Sequence, residues 1–251
     1  MKNTVTIFSI FFNIILIGVI FIYAGKRGYL GRMLVMANAN YLELPTDTLS
    51  SQPGWLDEIK YQVAVANHRQ IKTCFFGDSI TSMLGNTLGN DTFNWAMGGM
   101  SAISQLEQLK FLTAVKVKCD RAIIALGTND AIYRTMDGQF VNNMRQIIAT
   151  VKQDMGAKQV VLLPVVYSTV EASHDVTVAA PISRVDRFNR LIRQVAVVEK
   201  LSIDEEVVQP LFEGKALKAN LTSDGVHLNA DGKIIYREAL LKIVADLDKN
   251  H

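Results

Sequence analysis

The chain is poor in cysteine and histidine, and its first 32 residues contain no acid. Cys74 and Cys119 are its only cysteines. Two thiols do not make a disulfide framework, and no Cys/His cluster has metal-ligand spacing. Each opens an apolar run, which reads as a buried thiol. There is no phosphate-cradling glycine-rich loop, so neither a nucleotide nor a metal is expected as cofactor. Internal repeats and low-complexity stretches are also lacking. Four basic residues, Lys2, Lys26, Arg27 and Arg32, account for the net charge of +2. Without them 22 basic residues face 24 acidic ones, a net of −2 over residues 33–251. A mildly acidic body excludes an electrostatic footprint for nucleic acid.

Charge is missing altogether from Thr4 to Ala24, a run rich in Ile, Phe, Val and Leu. As a helix its 21 residues span about 30 Å, the thickness of a bilayer's hydrocarbon core. The run is long for a signal peptide, and Ala37-Asn38-Ala39 lies far beyond it for a cleavage site. The expectation is an uncleaved single-pass anchor over residues 1–28. The flanking charges favour a cytoplasmic body by a margin of one, which decides little.

Residues 29–70 read as a juxtamembrane helix (Tyr29–Glu43), a linker (Leu44–Pro53) and a helix over Trp55–Asn67, where Trp55, Ile59, Val63 and Ala66 share a face. From residue 71 the pattern alternates. Strands are expected at Ile71–Phe76, Thr92–Ala96, Arg121–Leu126, Gln159–Val166 and Leu201–Asp204. Helices are expected at Ile80–Leu88, Ile103–Leu112, Gln139–Met155, Ser183–Lys200 and Ala230–Leu247. Such alternation makes an α/β domain whose parallel sheet is covered on both faces. Ligands then bind beyond the carboxyl ends of the strands.

Four segments converge on that rim: Gly77-Asp78-Ser79-Ile80, Asn94-Trp95-Ala96-Met97-Gly98-Gly99, Gly127-Thr128-Asn129-Asp130 and Asp224-Gly225-Val226-His227. A serine between strand and helix is in general just an N-cap. As a nucleophile Ser79 needs an imidazole. Of the four histidines only His227 has an aspartate three residues earlier in a turn-forming segment. Asp224 can hold the ring and fix its tautomer while the other nitrogen faces Ser79. The charge that develops on an attacked carbonyl needs donors fixed in advance. A backbone N–H at Gly98-Gly99, the Asn129 amide and the Ser79 N–H supply them.

In order and spacing these segments resemble the four blocks of the SGNH hydrolases, the GDSL-type lipases and esterases, over roughly residues 71–247. The first block reads Gly-Asp-Ser-Ile in place of Gly-Asp-Ser-Leu. In the second, Met97 precedes the glycines where many members have serine. The resemblance implies a flavodoxin-like α/β/α sandwich around a five-stranded parallel sheet, filling residues 71–251 behind the anchor. It makes Ser79 the nucleophile, His227 the base and Asp224 its partner. The oxyanion donors become Ser79, Gly99 (five residues after Asn94) and Asn129. There is no Gly-x-Ser-x-Gly elbow, which disfavours the α/β-hydrolases.

The expected activity is hydrolysis of carboxylic acyl or acetyl esters without a cofactor. The alternatives are O-acyl transfer to cell-envelope carbohydrate through the same acyl-enzyme, and a non-catalytic membrane-tethered binding module. Met97, Gly98, Met100, Tyr133 and Arg134 are candidate pocket residues, and Tyr167–Ile182 is long enough for a lid. The substrate is expected to be a small acyl ester, a lipid or an acylated carbohydrate. Family habit places the catalytic domain outside the cytoplasm.

Overall fold

Alternate side chains of the first strand part company. Cys74 and Phe76 join one hydrophobic core and Phe75 the other. Ile124 and Ile123 of the third strand divide in the same way. A period of two with both sets apolar requires a sheet buried on both faces. The structure, a computed structural model, shows that sheet and describes residues 45–249. The anchor and juxtamembrane helix expected before residue 44 lie outside the described residues. Among the described residues no helix is long and apolar enough to cross a membrane.

The five strands are β1 (Thr73–Gly77), β2 (Thr92–Asn94), β3 (Arg121–Ala125), β4 (Gln159–Leu162) and β5 (Ser202–Ile203), in the order β2-β1-β3-β4-β5, all parallel. This is the doubly wound 2-1-3-4-5 topology, whose switch point lies between β1 and β3. Helices α1 (Trp55–Ala66), α3 (Ala102–Ala114), α5 (Asp137–Gln153) and α6 (Ile182–Glu199) supply the core on one face. Tyr236, Leu240 and Ile243 of the last helix, α7 (Ala230–Lys249), pack on the other. Two short helices, α2 (Ser79–Ser82) and α4 (Thr128–Ile132), directly follow β1 and β3 at the switch point. A small hairpin, β6 (Phe212–Glu213) and β7 (Ala216–Leu217), precedes α7.

Two expectations change. The helix expected over Ile80–Leu88 stops after Ser82, because the Asn94 amide takes the carbonyls of Thr81 and Gly85 at 2.8 and 3.0 Å. Residues 45–53, the described part of the expected linker, do not behave as a free linker. From Pro45 on the chain is tied to the domain: the Pro45 carbonyl accepts from the N–H of Arg134 at 3.0 Å.

Candidate active site

The turn from β1 into α2 leaves no room for a side chain at Gly77. A Cβ there would sit 2.8 Å from Thr81 Oγ1 and 3.0 Å from the Ala125 carbonyl. Asp78 then caps α2 by accepting from the N–H of Ile80 at 3.0 Å. That leaves Ser79 as the first helical residue, just beyond the end of β1. Its Oγ lies 3.0 Å from His227 Nε2, across 148 positions of sequence. His227 Nδ1 lies 2.7 Å from Asp224 Oδ2. The other oxygen, Oδ1, accepts from the N–H groups of Val226 and His227 at 2.9 and 2.7 Å. One carboxylate therefore folds the turn and orients the ring. With Nδ1–H donating to Asp224, Nε2 is the acceptor for the serine hydroxyl. Burial pulls the Asp224 carboxyl up, but the ring and the two N–H groups outweigh it and hold it down at about 2.

Gly99 and Asn129 lie in the segments that follow β2 and β3. Gly99 has φ +76°, a left-handed conformation that favours glycine. Asn129 Nδ2 donates to the Met100 carbonyl at 2.9 Å, which ties α4 to the loop after β2 and leaves one amide hydrogen over. Tyr133 is half-buried, with its hydroxyl 3.5 Å from the Gly99 carbonyl. The other candidate pocket residues divide. Met100 is fully buried in the core. Met97 is nearly buried, and Gly98 beside it is exposed. The Arg134 side chain is exposed at the surface.

The sequence model of the GDSL-like lipase/acylhydrolase family matches residues 75–233, more than half of the chain. The chain belongs to the GDSL-like lipase/acylhydrolase family. No curated protein matches it. Among solved structures, a GDSL-like lipase from Bacteroides thetaiotaomicron VPI-5482 is similar at 19% identity and a TM-score of 0.59, covering 75% of this chain and 97% of that one. A lipase/acylhydrolase from Enterococcus faecalis is 19% identical with a TM-score of 0.56, covering 69% and 95%. An acetylxylan esterase from Geobacillus stearothermophilus is 18% identical with a TM-score of 0.53, covering 69% and 94%. At these identities the likeness shows the fold alone.

Several residues that hold this GDSL-type site together carry no motif. The loop Tyr167–Ile182 is folded onto the site and does not stand off it as a lid. The Thr169 N–H donates to the Gly225 carbonyl at 2.8 Å, and Ala172 packs so closely that a Cβ on Gly225 would come within 2.6 Å of its own. The loop thus buttresses the Asp224–His227 turn from behind. Arg184 of α6 donates to the carbonyls of Ala131, Tyr133 and Thr135 at 2.5, 2.8 and 3.2 Å, and so secures the chain just after Asn129. Asp47 accepts from the hydroxyl of Ser101, the N-cap of α3, and Leu49 reaches within 3.8 Å of where a Gly99 Cβ would stand. Asp47→Ala is expected to cost about 1 kcal/mol of stability, since Ser101 keeps its bond from the Ile103 N–H. It should lower kcat more than it raises KM, because it loosens the loop that carries Gly99. Urea unfolding and steady-state kinetics of the full-length variant check both.

Asp130 is wholly buried beside Asn129, with Oδ2 accepting from the Ala102 N–H at 2.9 Å. Burial pushes its carboxyl up to about 7; the Ala102 N–H opposes this and the Asp47 charge adds to it. Asp78 is likewise pushed up by burial, to about 6, against hydrogen bonds from Thr128 and Ile80. A carboxyl with a raised folded pKa holds its proton in the native state after the unfolded chain has lost it. Its contribution to stability therefore declines as pH rises from about 4 to about 7. Asp130→Asn keeps an acceptor for Ala102 and removes the titration. Relative to wild type it should gain stability steadily across that interval, read as the difference in denaturant midpoint. A difference that stays flat with pH contradicts the assignment.

Proposed function

We propose that the chain is a serine esterase that hydrolyses short acyl esters through Ser79, His227 and Asp224. The observation that carries this reading is the unbroken hydrogen-bonded line Ser79 Oγ–His227 Nε2, His227 Nδ1–Asp224 Oδ2 at 3.0 and 2.7 Å. In the first step His227 Nε2 takes the hydroxyl proton while Ser79 Oγ bonds to the ester carbonyl carbon. The carbonyl oxygen becomes an anion held by the N–H groups of Ser79 and Gly99 and by the free hydrogen of the Asn129 amide. Among the described residues neither of those N–H groups donates to another acceptor, which leaves both for the oxyanion. Collapse breaks the bond to the alcohol, which departs with the proton from His227. Water, giving its proton to the same nitrogen, then cleaves the acyl-serine. The acid is released and the proton returns to Ser79.

A reactive fluorophosphonate should label the full-length wild type and leave Ser79→Ala unlabelled. Equal labelling of the two removes the serine mechanism. The apolar run Thr4–Ala24 is read as an uncleaved anchor that keeps this domain on the extracytoplasmic side. Protease added to intact cells then digests the domain, whereas a cytoplasmic domain is spared.

A further inference from the structure

Gly99 leaves open the side of the backbone on which any other residue would carry a Cβ, and two side chains stand against that side. The methyl carbons of Leu49 lie 3.8 and 3.9 Å from where a Gly99 Cβ would be, and the Tyr133 hydroxyl lies 4.0 Å from the same point. That hydroxyl is also 3.5 Å from the Gly99 carbonyl. Neither residue belongs to the four catalytic segments. Leu49 opens a short 3-10 turn, Leu49–Ser51, ahead of α1, and Tyr133 directly follows α4. Both are held from outside. Asp47 accepts from the Leu49 N–H at 2.8 Å with one oxygen and from the Ser101 hydroxyl with the other. Leu49 packs its side chain on the core. The Tyr133 carbonyl accepts from Arg184 at 2.8 Å, and the N–H of the next residue, Arg134, donates to the Pro45 carbonyl at 3.0 Å. These bonds fix both side chains relative to Gly99.

We propose that Leu49 and Tyr133 form the acyl wall of the site and limit the ester to a short, uncharged acyl group. The proposal rests on the serine-esterase reading and adds to it the residues that select the acyl chain.

The direction of the acyl chain follows from the proton that His227 has to deliver. The leaving alcohol takes its proton from Nε2, so the alcohol oxygen lies on the His227 side of the carbonyl carbon. The carbonyl oxygen points at the donors of Ser79, Gly99 and Asn129. The remaining substituent, the acyl chain, extends away from His227. The sheet order says what lies in that direction. The His227 turn is backed by Thr169 and Ala172, from the loop that follows β4. Gly99 follows β2, the edge strand separated from β4 by β1 and β3. Away from His227 is therefore toward Gly99, where Leu49 and Tyr133 stand. The three atoms nearest the open side of Gly99 are two methyl carbons and a hydroxyl. Methyl groups give a hydrocarbon chain a surface from which water is expelled. A charged acyl group would be desolvated against them without a partner. A long chain needs room that the Leu49 side chain occupies, and Asp47 keeps Leu49 from moving aside.

The experiment measures kcat/KM of full-length wild type, Leu49→Ala, Leu49→Phe and Tyr133→Ala on p-nitrophenyl acetate, butyrate and hexanoate, with circular dichroism to confirm folding. Wild type should prefer acetate or butyrate to hexanoate. Leu49→Ala should raise the ratio of hexanoate to acetate about tenfold or more, the scale of a methylene accommodated in an apolar pocket, and Tyr133→Ala should move it in the same direction. Leu49→Phe fills the space instead and should lower the ratio of butyrate to acetate about threefold or more. Ethyl and hexyl acetate differ only in the alcohol, and their ratio should stay within about twofold of wild type in every variant. Acyl ratios that do not move, or a loss shared equally by all three p-nitrophenyl esters, overturn the wall and leave Leu49 as packing under the loop. A variant that shifts the alcohol ratio in place of the acyl ratio overturns the placement of the chain. A wild type that prefers hexanoate overturns the limit to short acyl groups. Activity that survives Ser79→Ala instead overturns the serine-esterase reading, and so the two failures are distinguishable.

Discussion

Loss of Ser79 and loss of His227 are expected to cost the same and not to add. The serine hydroxyl is a weak nucleophile until the imidazole takes its proton, and the imidazole has no other role once the serine is gone. Their 3.0 Å contact makes them one device. Ser79→Ala, His227→Ala and the double variant should each lose about 10⁴–10⁶ in kcat on an activated acetate ester and settle at one floor. What remains comes from the donors at Gly99 and Asn129 and from binding. Initial rates of the three full-length variants, with circular dichroism to confirm folding, decide it. A His227→Ala protein that keeps a tenth of wild-type kcat, or losses that multiply in the double variant, would falsify the assignment.

Asp224→Asn is expected to cost less than either, about 10²–10³ in kcat. In a buried triad the same change costs about 10⁴, because an amide facing Nδ1 forces the ring into the wrong tautomer. Here the carboxylate side chain is 52% exposed and the ring 41%, so water shares the work of stabilising the imidazolium. The variant keeps Oδ1, and with it the bonds from Val226 and His227 that shape the turn. Its melting temperature should therefore stay close to wild type while kcat falls. Asp224→Ala removes those bonds too and should lose stability as well. A parallel loss of stability and activity in Asp224→Asn would mean that the residue only folds the turn.

Much of this site is legible in local sequence. The apolar alternation of Cys74, Phe75 and Phe76 already implies a strand covered on both sides, and His227 stands out because Asp224 lies one turn before it. Other features are less legible because their causes are distant. Nothing near Ile80–Leu88 announces that the Asn94 amide will end the helix at Ser82. Leu44–Pro53 has the prolines and hydroxyls of a linker, yet Asp47 bonds a serine 54 positions away. Met100 sits between glycine and serine in a segment that suggests a pocket. It is in fact core, because the chain dips inward before α3 begins.

The sequence by itself determined the class of fold and singled out the candidate reacting groups. Side-chain periodicity and turn chemistry act over a few residues, and the four segments each carry their chemistry within six. The tertiary structure alone decided how those groups are held and what surrounds them. The bond from Thr169 behind Gly225, the grip of Arg184 on the Asn129 loop and the buried Asp130 all join residues far apart along the chain. The wall beside Gly99 is of the same kind, since Leu49 and Tyr133 come from separate stretches. Such contacts depend on packing between elements, and packing leaves no periodic trace in the sequence of any one element.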